Sequence, residues 1–200
     1  MHIFSAVNQG NPPHNPMTKL PILESYWIEE GRFLAGEYPG GYDPETTRRR
    51  MDAFLEAGIH TFIDLTQPHE RLSYESVLKE QARIYDIDAT YQRFAIRDHG
   101  IPSRETMTTI LNSIDEALNN HNGVYVHCWG GVGRTGITVG CYLIRHGLTP
   151  QQALSRVDIL FKTRPQNYFT SSPETAEQFE FVQNWRETKI SQPRQNYCEG

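Results

Sequence analysis

The feature that most constrains the fold is the segment HCWGGVGRTG at residues 127–136, which holds three glycines ahead of its arginine. It follows a short apolar run at 124–126, which is typical of a buried strand. An apolar stretch at 134–146 comes next and ends at Gly147, as helices commonly do. Glycine permits backbone angles that other residues avoid, so the sequence predicts a strand, a tight loop and a helix in direct succession.

Strand-like and helix-like patterns are mixed along the chain as far as this loop. Besides the strand that leads into the loop, the sequence predicts strands at 26–28, 32–35, 60–65 and 91–96. Residues 67–83 carry a mixed polar pattern that favours neither structure, and only helices are predicted after residue 134. The order of elements therefore predicts a mixed α/β domain in which one strand delivers the loop at 127–134.

Helix starts are marked by capping residues. Asp43, Ser103 and Thr149 each stand before a helical pattern, as N-cap residues do. The last helix is predicted to open at Ser172-Pro173, and its inward-facing residues are predicted to be Phe179, Val182 and Trp185.

The length of 200 residues fits one domain of ordinary size. Residues 1–24 are predicted to be a flexible N-terminal tail, residues 25–190 the domain and residues 191–200 a C-terminal tail. No apolar run approaches the roughly 18 residues of a transmembrane helix. The first residues also lack the basic and apolar segments of a secretory signal, so we expect a cytoplasmic protein.

Charge and cysteine content narrow the classes of function. The net charge is −5, from 19 basic and 24 acidic residues, and this disfavours nucleic acid and membrane as partners, since both need a basic surface. The three cysteines, Cys128, Cys141 and Cys198, are an odd number at irregular spacing, which fits neither a disulfide framework nor a zinc site. A cysteine with a function should therefore act as a free thiol.

The loop has the chemistry of an anion site. Glycine-rich turns can aim successive N–H groups at one point, and the following helix adds its own free N–H groups and partial positive charge. The same field would stabilise a thiolate on Cys128. Arg134, six positions later, could grip two oxygens of a phosphate. A thiolate at the base of such a cradle can attack phosphorus in line.

Three other interpretations of the loop are weaker. Residues 131–136 match the dinucleotide pattern G-x-G-x-x-G, but no strand and acidic residue follow at the required distance. A nucleotide-binding P-loop would need Lys-Ser/Thr after its last glycine, whereas Ile137 follows Gly136. A structural turn with an inert cysteine would not explain three glycines and an arginine at this spacing.

The motif His-Cys-x5-Arg-Thr resembles the signature of the cysteine-dependent protein tyrosine and dual-specificity phosphatases. In that family an acid loop lies about 30 residues upstream, and Asp98 begins a matching Asp-x-x-x-Pro, although it could also be a turn residue. Residues 172–181 look like the family's glutamine loop, with Gln178 at its second glutamine and Glu174 in place of the first. The resemblance covers about residues 25–188.

The resemblance implies a compact tyrosine-phosphatase-like α/β domain with a central, mostly parallel sheet of four to five strands flanked by helices. Cys128 would be the nucleophile, Arg134 the phosphate clamp, and Asp98 the general acid and then base. Thr135 would donate to the cysteine sulfur, His127 would orient the loop, and Gln178 would position water. Phosphate oxygens would be bound by the N–H groups of Trp129, Gly130, Gly131, Val132, Gly133 and Arg134.

The expected substrate is a phosphorylated protein or peptide, with phosphotyrosine as the leading hypothesis and phosphoserine or phosphothreonine as a further one. The loop contains no lysine, which disfavours a phosphoinositide. A non-protein substrate (inositol phosphate, lipid or carbohydrate phosphate) and a phosphate-binding module without turnover remain alternatives. We expect a monomer that needs no metal and no other cofactor, with no nucleic acid or membrane partner. Cys141 is expected to be a core residue.

Overall fold

The computed structural model describes residues 19–165 and 171–187. Its strands are β1 (Ser25–Glu29), β2 (Phe33–Gly36), β3 (Ile59–Asp64), β4 (Thr90–Arg93) and β5 (Gly123–His127). Its helices are α1 (Pro44–Glu56), α2 (Glu75–Ile84), α3 (Arg104–Asn119), α4 (Gly133–Arg145), α5 (Pro150–Phe161) and α6 (Ala176–Gln183).

The five strands form one sheet in the order β1-β2-β5-β3-β4. Only the β1–β2 pair is antiparallel, and β5 runs parallel to both of its neighbours. The predicted α/β class and mostly parallel sheet are confirmed. Because β5 lies in the middle, its carboxyl end opens at the centre of the sheet edge, where open α/β sheets place their ligands.

Helices cover both faces of the sheet, so β5 is buried throughout. Successive side chains of a strand point to opposite faces. Val124 and Val126 therefore pack into the core beneath α3, α4, α5 and α6, whereas Tyr125 packs into the core beneath α1 and α2. This double cover explains why the sequence of β5 reads as a continuous apolar run.

Three predicted helix caps are present. Asp43 Oδ1 accepts from the N–H of Thr46 at 2.8 Å, and Ser103 Oγ accepts from the N–H of Thr106 at 3.1 Å. Thr149 forms a full capping box with Gln152. The N-terminal boundaries of α1, α3 and α5 are therefore as predicted.

The predicted start of the last helix is wrong. The helix α6 begins at Ala176, because Thr175 and Gln178 form a capping box there, while the Ser172 hydroxyl donates to the carbonyl of Val132 at 2.7 Å. Val182 and Trp185 are buried as predicted, but Phe179 is 47% exposed. The predicted inward placement of Phe179 is therefore wrong, since the face of α6 that packs inward carries Gln178 and Val182 instead.

Two other segments differ from the prediction. The unassigned stretch contains α2, whose N-cap Tyr74 makes no side-chain cap and so leaves no capping signal in the sequence. The strand β4 ends at Arg93, short of the predicted residue 96. Within the predicted N-terminal tail, Ile22 is already buried, and residues 1–18 and 188–200 lie outside the described part of the chain.

None of the described helices is long and apolar enough to cross a membrane.

Candidate active site

The glycine-rich loop lies between β5 and α4 at the carboxyl edge of the sheet. Cys128 is 3% exposed and lines a cavity of about 230 Å³. The acid loop and the segment before α6 close the other sides of this cavity. Its remaining lining residues are Asp98, His99, Trp129, Gly130, Val132, Gly133, Arg134, Glu174 and Gln178. The structure thus brings together most of the residues that the sequence assigned to one site.

The loop's carbonyl groups are bound by the surrounding protein. The carbonyl of Trp129 accepts from the N–H of Tyr38 at 2.8 Å, that of Gly130 from Arg164 Nη1 at 3.0 Å, and that of Val132 from Ser172 Oγ. In a trans peptide the N–H points opposite to the carbonyl. The N–H groups of the following residues are therefore directed away from these partners, as an anion nest requires.

Gly131 is needed at its position for two reasons. Its φ of +67° is a left-handed conformation that side chains rarely adopt. A Cβ built on it would also lie 2.3 Å from the carbonyl carbon of Gly36. The loop can pass this close to the end of β2 only because residue 131 has no side chain.

Arg134 is 2% exposed, and its guanidinium is held by three neighbours. Nη1 and Nη2 donate to the two carboxylate oxygens of Glu70 at 2.7 and 2.9 Å. Nη1 also donates to the carbonyl of Ile96 at 3.1 Å, and Nη2 to Asp98 Oδ1 at 2.8 Å. Burial disfavours the charged guanidinium, but Glu70 and the charge of Cys128 outweigh it and raise the pKa of Arg134. The arginine therefore stays cationic beside the cysteine.

Glu70 is a site residue that the sequence analysis did not identify. It stands 64 residues before Arg134 in the stretch that carried no clear pattern, so no local spacing connects the two. Burial raises the pKa of its carboxyl, but the hydrogen bonds from Arg134 and from the N–H of Gln67 lower it by more. Glu70 is therefore an anionic fork that fixes the plane of the guanidinium.

The acid loop lies over the mouth of the cavity. The side chain of Asp98 is 53% exposed and contacts Arg134. His99 lies between two carboxylates, with Nε2 3.4 Å from Asp98 and Nδ1 3.5 Å from Glu174. The carbonyl of Gly100 accepts from Gln178 Nε2 at 3.1 Å. The loop is thus tied to the segment before α6 on one side and to the arginine on the other.

His127 is fully buried behind the loop and contacts its backbone. Nδ1 lies 3.2 Å from the carbonyl of Cys128, and Nε2 lies 2.7 Å from the hydroxyl of Tyr74. A carbonyl only accepts, so the hydrogen is on Nδ1 and Nε2 accepts from Tyr74. Burial lowers the pKa of His127. The negative charge of Asp64 acts in the opposite direction but is outweighed, so the ring stays neutral. This geometry agrees with the predicted role of orienting the loop.

Thr135 and Gln178 differ from their predicted arrangements. The hydroxyl of Thr135 is buried but makes no hydrogen bond within the described residues, so the predicted bond to the cysteine sulfur is not formed. The Gln178 amide is fully buried, and its oxygen accepts from the N–H groups of Glu174 and Thr175. Its nitrogen donates to the carbonyl of Gly100. The amide therefore connects the acid loop to the segment before α6.

The remaining cysteines stand apart from this site. Cys141 is fully buried in α4, and burial raises its pKa well above the ordinary value, as expected of a core thiol. Cys198 lies outside the described residues. Across 19–165 and 171–187, no group of three or more His, Cys, Asp or Glu side chains is arranged to hold a metal ion.

A cysteine and an arginine at the two ends of an anion-binding loop, with an aspartate on a facing loop, define a cysteine-dependent phosphatase architecture. The family described as "Polymorphic toxin system, DSP-PTPase phosphatase" (Tc-R-P) matches residues 40–148. This chain belongs to that family, and the predicted resemblance to tyrosine and dual-specificity phosphatases is confirmed.

Individual relatives agree with this assignment. The chain is 30% identical over 103 residues to mouse protein tyrosine phosphatase domain-containing protein 1, a match that covers 48% of this chain and 14% of the mouse protein. It is 28% identical over 123 residues to mouse dual specificity protein phosphatase CDC14B, covering 60% of this chain and 24% of that protein. The chain thus corresponds to only a small part of these relatives.

Solved structures share the fold. The crystal structure of Tk-PTP in the active form superposes with a TM-score of 0.63 at 24% identity, covering 80% of this chain and 93% of that one. The similarity extends over nearly the whole of Tk-PTP and concerns the fold, since the sheet and helices described above are common to both.

Proposed function

We propose that the chain hydrolyses phosphotyrosine in proteins or peptides, and phosphoserine or phosphothreonine as well, through a phosphocysteine intermediate. The observation that carries the proposal is the cavity shared by Cys128, Arg134 and Asp98, beside which the carbonyls of Trp129, Gly130 and Val132 are hydrogen-bonded to the surrounding protein. A phosphate dianion in this cavity would face N–H groups, the helix N-terminus of α4 and one guanidinium.

In the first step, the Cys128 thiolate attacks phosphorus and a sulfur–phosphorus bond forms. The bond from phosphorus to the substrate oxygen breaks, and protonated Asp98 gives its proton to that leaving oxygen. Glu70 occupies one edge of the Arg134 guanidinium, which leaves the Nε edge for the equatorial phosphate oxygens. Asp98 exchanges its contact with Arg134 for one with the leaving group as the phosphate enters.

In the second step, water attacks the phosphocysteine. Asp98, now a carboxylate, takes a proton from that water, the sulfur–phosphorus bond breaks, and inorganic phosphate and the thiolate are released. Gln178 holds the acid loop through Gly100 in the observed arrangement. We therefore assign it a positioning role, because orienting water would require its amide to leave the present partners.

The position of Trp129 favours a protein substrate. Trp129 is 46% exposed at the rim of the cavity, where an aromatic side chain could stack on a phosphorylated ring or an adjacent peptide residue. Solved structures of similar fold were determined with different ligands: TpbA with phosphotyrosine, at TM-score 0.54 and 13% identity, and PTPMT1 with PI(5)P, at TM-score 0.60 and 16% identity. At these identities the likeness concerns the fold.

The chemistry is tested with p-nitrophenyl phosphate in the presence of EDTA. We expect turnover without added metal, because a cysteine nucleophile, an arginine and a general acid supply the chemistry of the proposed steps. Cys128→Ser should abolish turnover but keep phosphate binding, and Cys141→Ser is the matched control that should retain activity. Turnover that survives Cys128→Ser would overturn the proposal.

The role of Asp98 and the substrate class need separate measurements. Asp98→Ala should lower kcat most for substrates with poor leaving groups, and an equal loss for good ones would refute the general-acid role. Phosphotyrosine peptides, phosphoserine peptides and a phosphoinositide are then compared by kcat/KM. A higher kcat/KM for the phosphoinositide would contradict the assignment of a protein substrate.

A further inference from the structure

Residues 70–72, here called the contact segment, reach the active site from the link between β3 and α2. The link, residues 65–74, belongs to no helix or strand, and α2 begins after it without a side-chain cap. Backbone of this kind has no ladder of hydrogen bonds to fix it, so its position depends on single contacts with neighbouring elements. The question is which contact holds the segment that carries Glu70.

The first two residues of the contact segment each touch one end of the catalytic loop. Glu70 accepts from both Nη atoms of Arg134 at 2.7 and 2.9 Å. The guanidinium carbon of Arg71 lies 4.2 Å from the centre of the Trp129 ring, a cation–π contact, and the charge of Glu37 also acts on this arginine. A shift of the segment would therefore disturb both ends of the loop together.

Tyr38 attaches the third residue of the segment to the same loop. Its hydroxyl donates to the carbonyl of Leu72 at 2.6 Å, and its N–H donates to the carbonyl of Trp129 at 2.8 Å. Leu72 is 92% exposed, so its side chain adds little packing. Within the described residues, the bond from Tyr38 is the only hydrogen bond that another part of the chain makes to Arg71 or Leu72.

Tyr38 is itself held firmly. It is buried, and its ring packs edge-on against Tyr74 and His127, with centroid distances of 5.4 and 5.3 Å. Burial raises the pKa of Tyr38 to about 12, so the hydroxyl keeps its proton and acts as a donor. The contact segment is thus fastened to a rigid point of the core.

We propose that Tyr38 is a positioning residue for the phosphate clamp. Its hydroxyl holds the contact segment where Glu70 sets the plane of the Arg134 guanidinium and Arg71 covers Trp129. This inference rests on the proposed phosphatase function and adds a residue to it. Without the hydroxyl, the Leu72 carbonyl would bind water instead, and Arg134 would meet the phosphate oxygens in a less fixed orientation.

The variant Tyr38→Phe removes one oxygen and keeps the ring in place. We expect kcat/KM for p-nitrophenyl phosphate to fall about threefold to tenfold, as the loss of one hydrogen bond allows. The inhibition constant of tungstate, an oxyanion of similar shape to phosphate, should rise by a similar factor. Neither KM nor an inhibition constant depends on the amount of folded enzyme, so these readouts separate positioning from stability.

Tyr142→Phe is the matched control. The Tyr142 hydroxyl donates to the carboxylate of Glu29, and neither residue lines the catalytic cavity. The same chemical change should therefore leave KM and the inhibition constant of tungstate at their native values. Urea unfolding of both variants compares what each hydroxyl contributes to stability.

A double-mutant cycle tests whether Tyr38 acts through Glu70. In a Glu70→Gln background the fork on Arg134 is already broken, so adding Tyr38→Phe should change kcat/KM less than twofold. A full threefold to tenfold loss in that background would show that Tyr38 acts elsewhere and would overturn the proposal.

The outcomes separate this inference from the proposed function. Native values of KM and of the inhibition constant in Tyr38→Phe, or an equal shift in Tyr142→Phe, would overturn the positioning role alone. If the native chain hydrolyses no phosphate ester, the proposed function is refuted instead. Tungstate binding measured by calorimetry then still decides about Tyr38: weaker binding by Tyr38→Phe supports its role, and equal affinity overturns it.

Discussion

At the scale of single residues, the site depends on how Arg134 is oriented. A guanidinium on a flexible stem would lose entropy each time it bound a phosphate, and Glu70 removes that freedom in advance by a two-point contact. The same contact also lowers the net positive charge of the cavity. Glu70 therefore favours a fixed geometry over maximal attraction for the phosphate, which is the arrangement expected of an enzyme that must release its product.

The substitution Glu70→Gln tests this positioning role. Glutamine can keep only one of the two contacts, so we expect kcat/KM for p-nitrophenyl phosphate to fall about tenfold to a hundredfold through misplacement of Arg134. Steady-state kinetics measure the change, and urea unfolding checks that the fold persists. Glu75→Gln, on the exposed face of α2, is the control. Kinetics within twofold of the native chain would contradict the role of Glu70.

At the scale of elements, the loop between β5 and α4 is shaped by its neighbours as much as by its glycines. The end of β2 lies against Gly131, and the segment before α6 binds the carbonyl of Val132. The buried amide of Gln178 also lies where a side chain at Gly133 would be, 2.6 Å from a Cβ built there. A loop fixed on three sides can keep its N–H groups directed at the cavity without a ligand.

Two glycine substitutions separate the effect of a left-handed backbone conformation from the effect of a steric clash. Gly58 and Gly131 both have left-handed φ, at +79° and +67°, but only Gly131 is in close contact with backbone. Gly58→Ala should cost about 1 kcal/mol of stability and leave kcat unchanged. Gly131→Ala should in addition lower kcat at least tenfold, because the loop must move away from β2. Equal kinetics for the two variants would contradict the close-contact argument.

The helix starts show which features of the fold a local sequence pattern can predict. The caps at Asp43, Ser103 and Thr149 were predictable because each involves residues only three apart. The start of α6 was not, since Ser172, an equally good cap by composition, binds the carbonyl of Val132, 40 residues away. The helix α2 was also missed, because it has no side-chain cap.

At the scale of the whole molecule, a buried polar cluster joins the sheet behind the active site. Asp64, at the end of β3, is fully buried and accepts hydrogen bonds from Thr66, Tyr91 and Arg93, while its carboxylate lies 4.0 Å from His127 Nδ1. Three neighbouring strands are linked through this one carboxylate. Its loss would leave Arg93 without its partner, so we expect it to stabilise the fold as a whole.

The pH dependence of unfolding tests this cluster. Burial raises the pKa of Asp64, but His127 and the hydrogen bonds lower it by more, so the net pKa is below the ordinary 3.8. The pKa of His127 is below its ordinary 6.5. The unfolded chain thus binds more protons, and stability should decrease as the pH falls below about 6.5 and again below about 4.

The variant Asp64→Asn tests the lower of these two pH ranges, in which the Asp64 carboxyl titrates. It should reduce the free energy of unfolding at pH 7 by about 2 kcal/mol, and this difference should shrink in acid, where the native carboxyl becomes protonated. Urea titrations at several pH values measure it, with exposed Asp88→Asn as the control. A destabilisation that is the same at every pH would show that shape, not charge, explains the effect.

The sequence by itself determined the strand–loop–helix unit and the placement of its cysteine and its arginine, because a spacing of six residues and the freedom of glycine are local properties. The resemblance carried by those residues extended this to Asp98 and the parallel sheet. Only the tertiary structure decided that Glu70 fixes Arg134 and that Arg164 reaches Gly130, across 64 and 34 residues of chain. Such pairs form because β3, β5, α4 and α5 pack together, and no period or spacing in the sequence encodes which side chains will meet there.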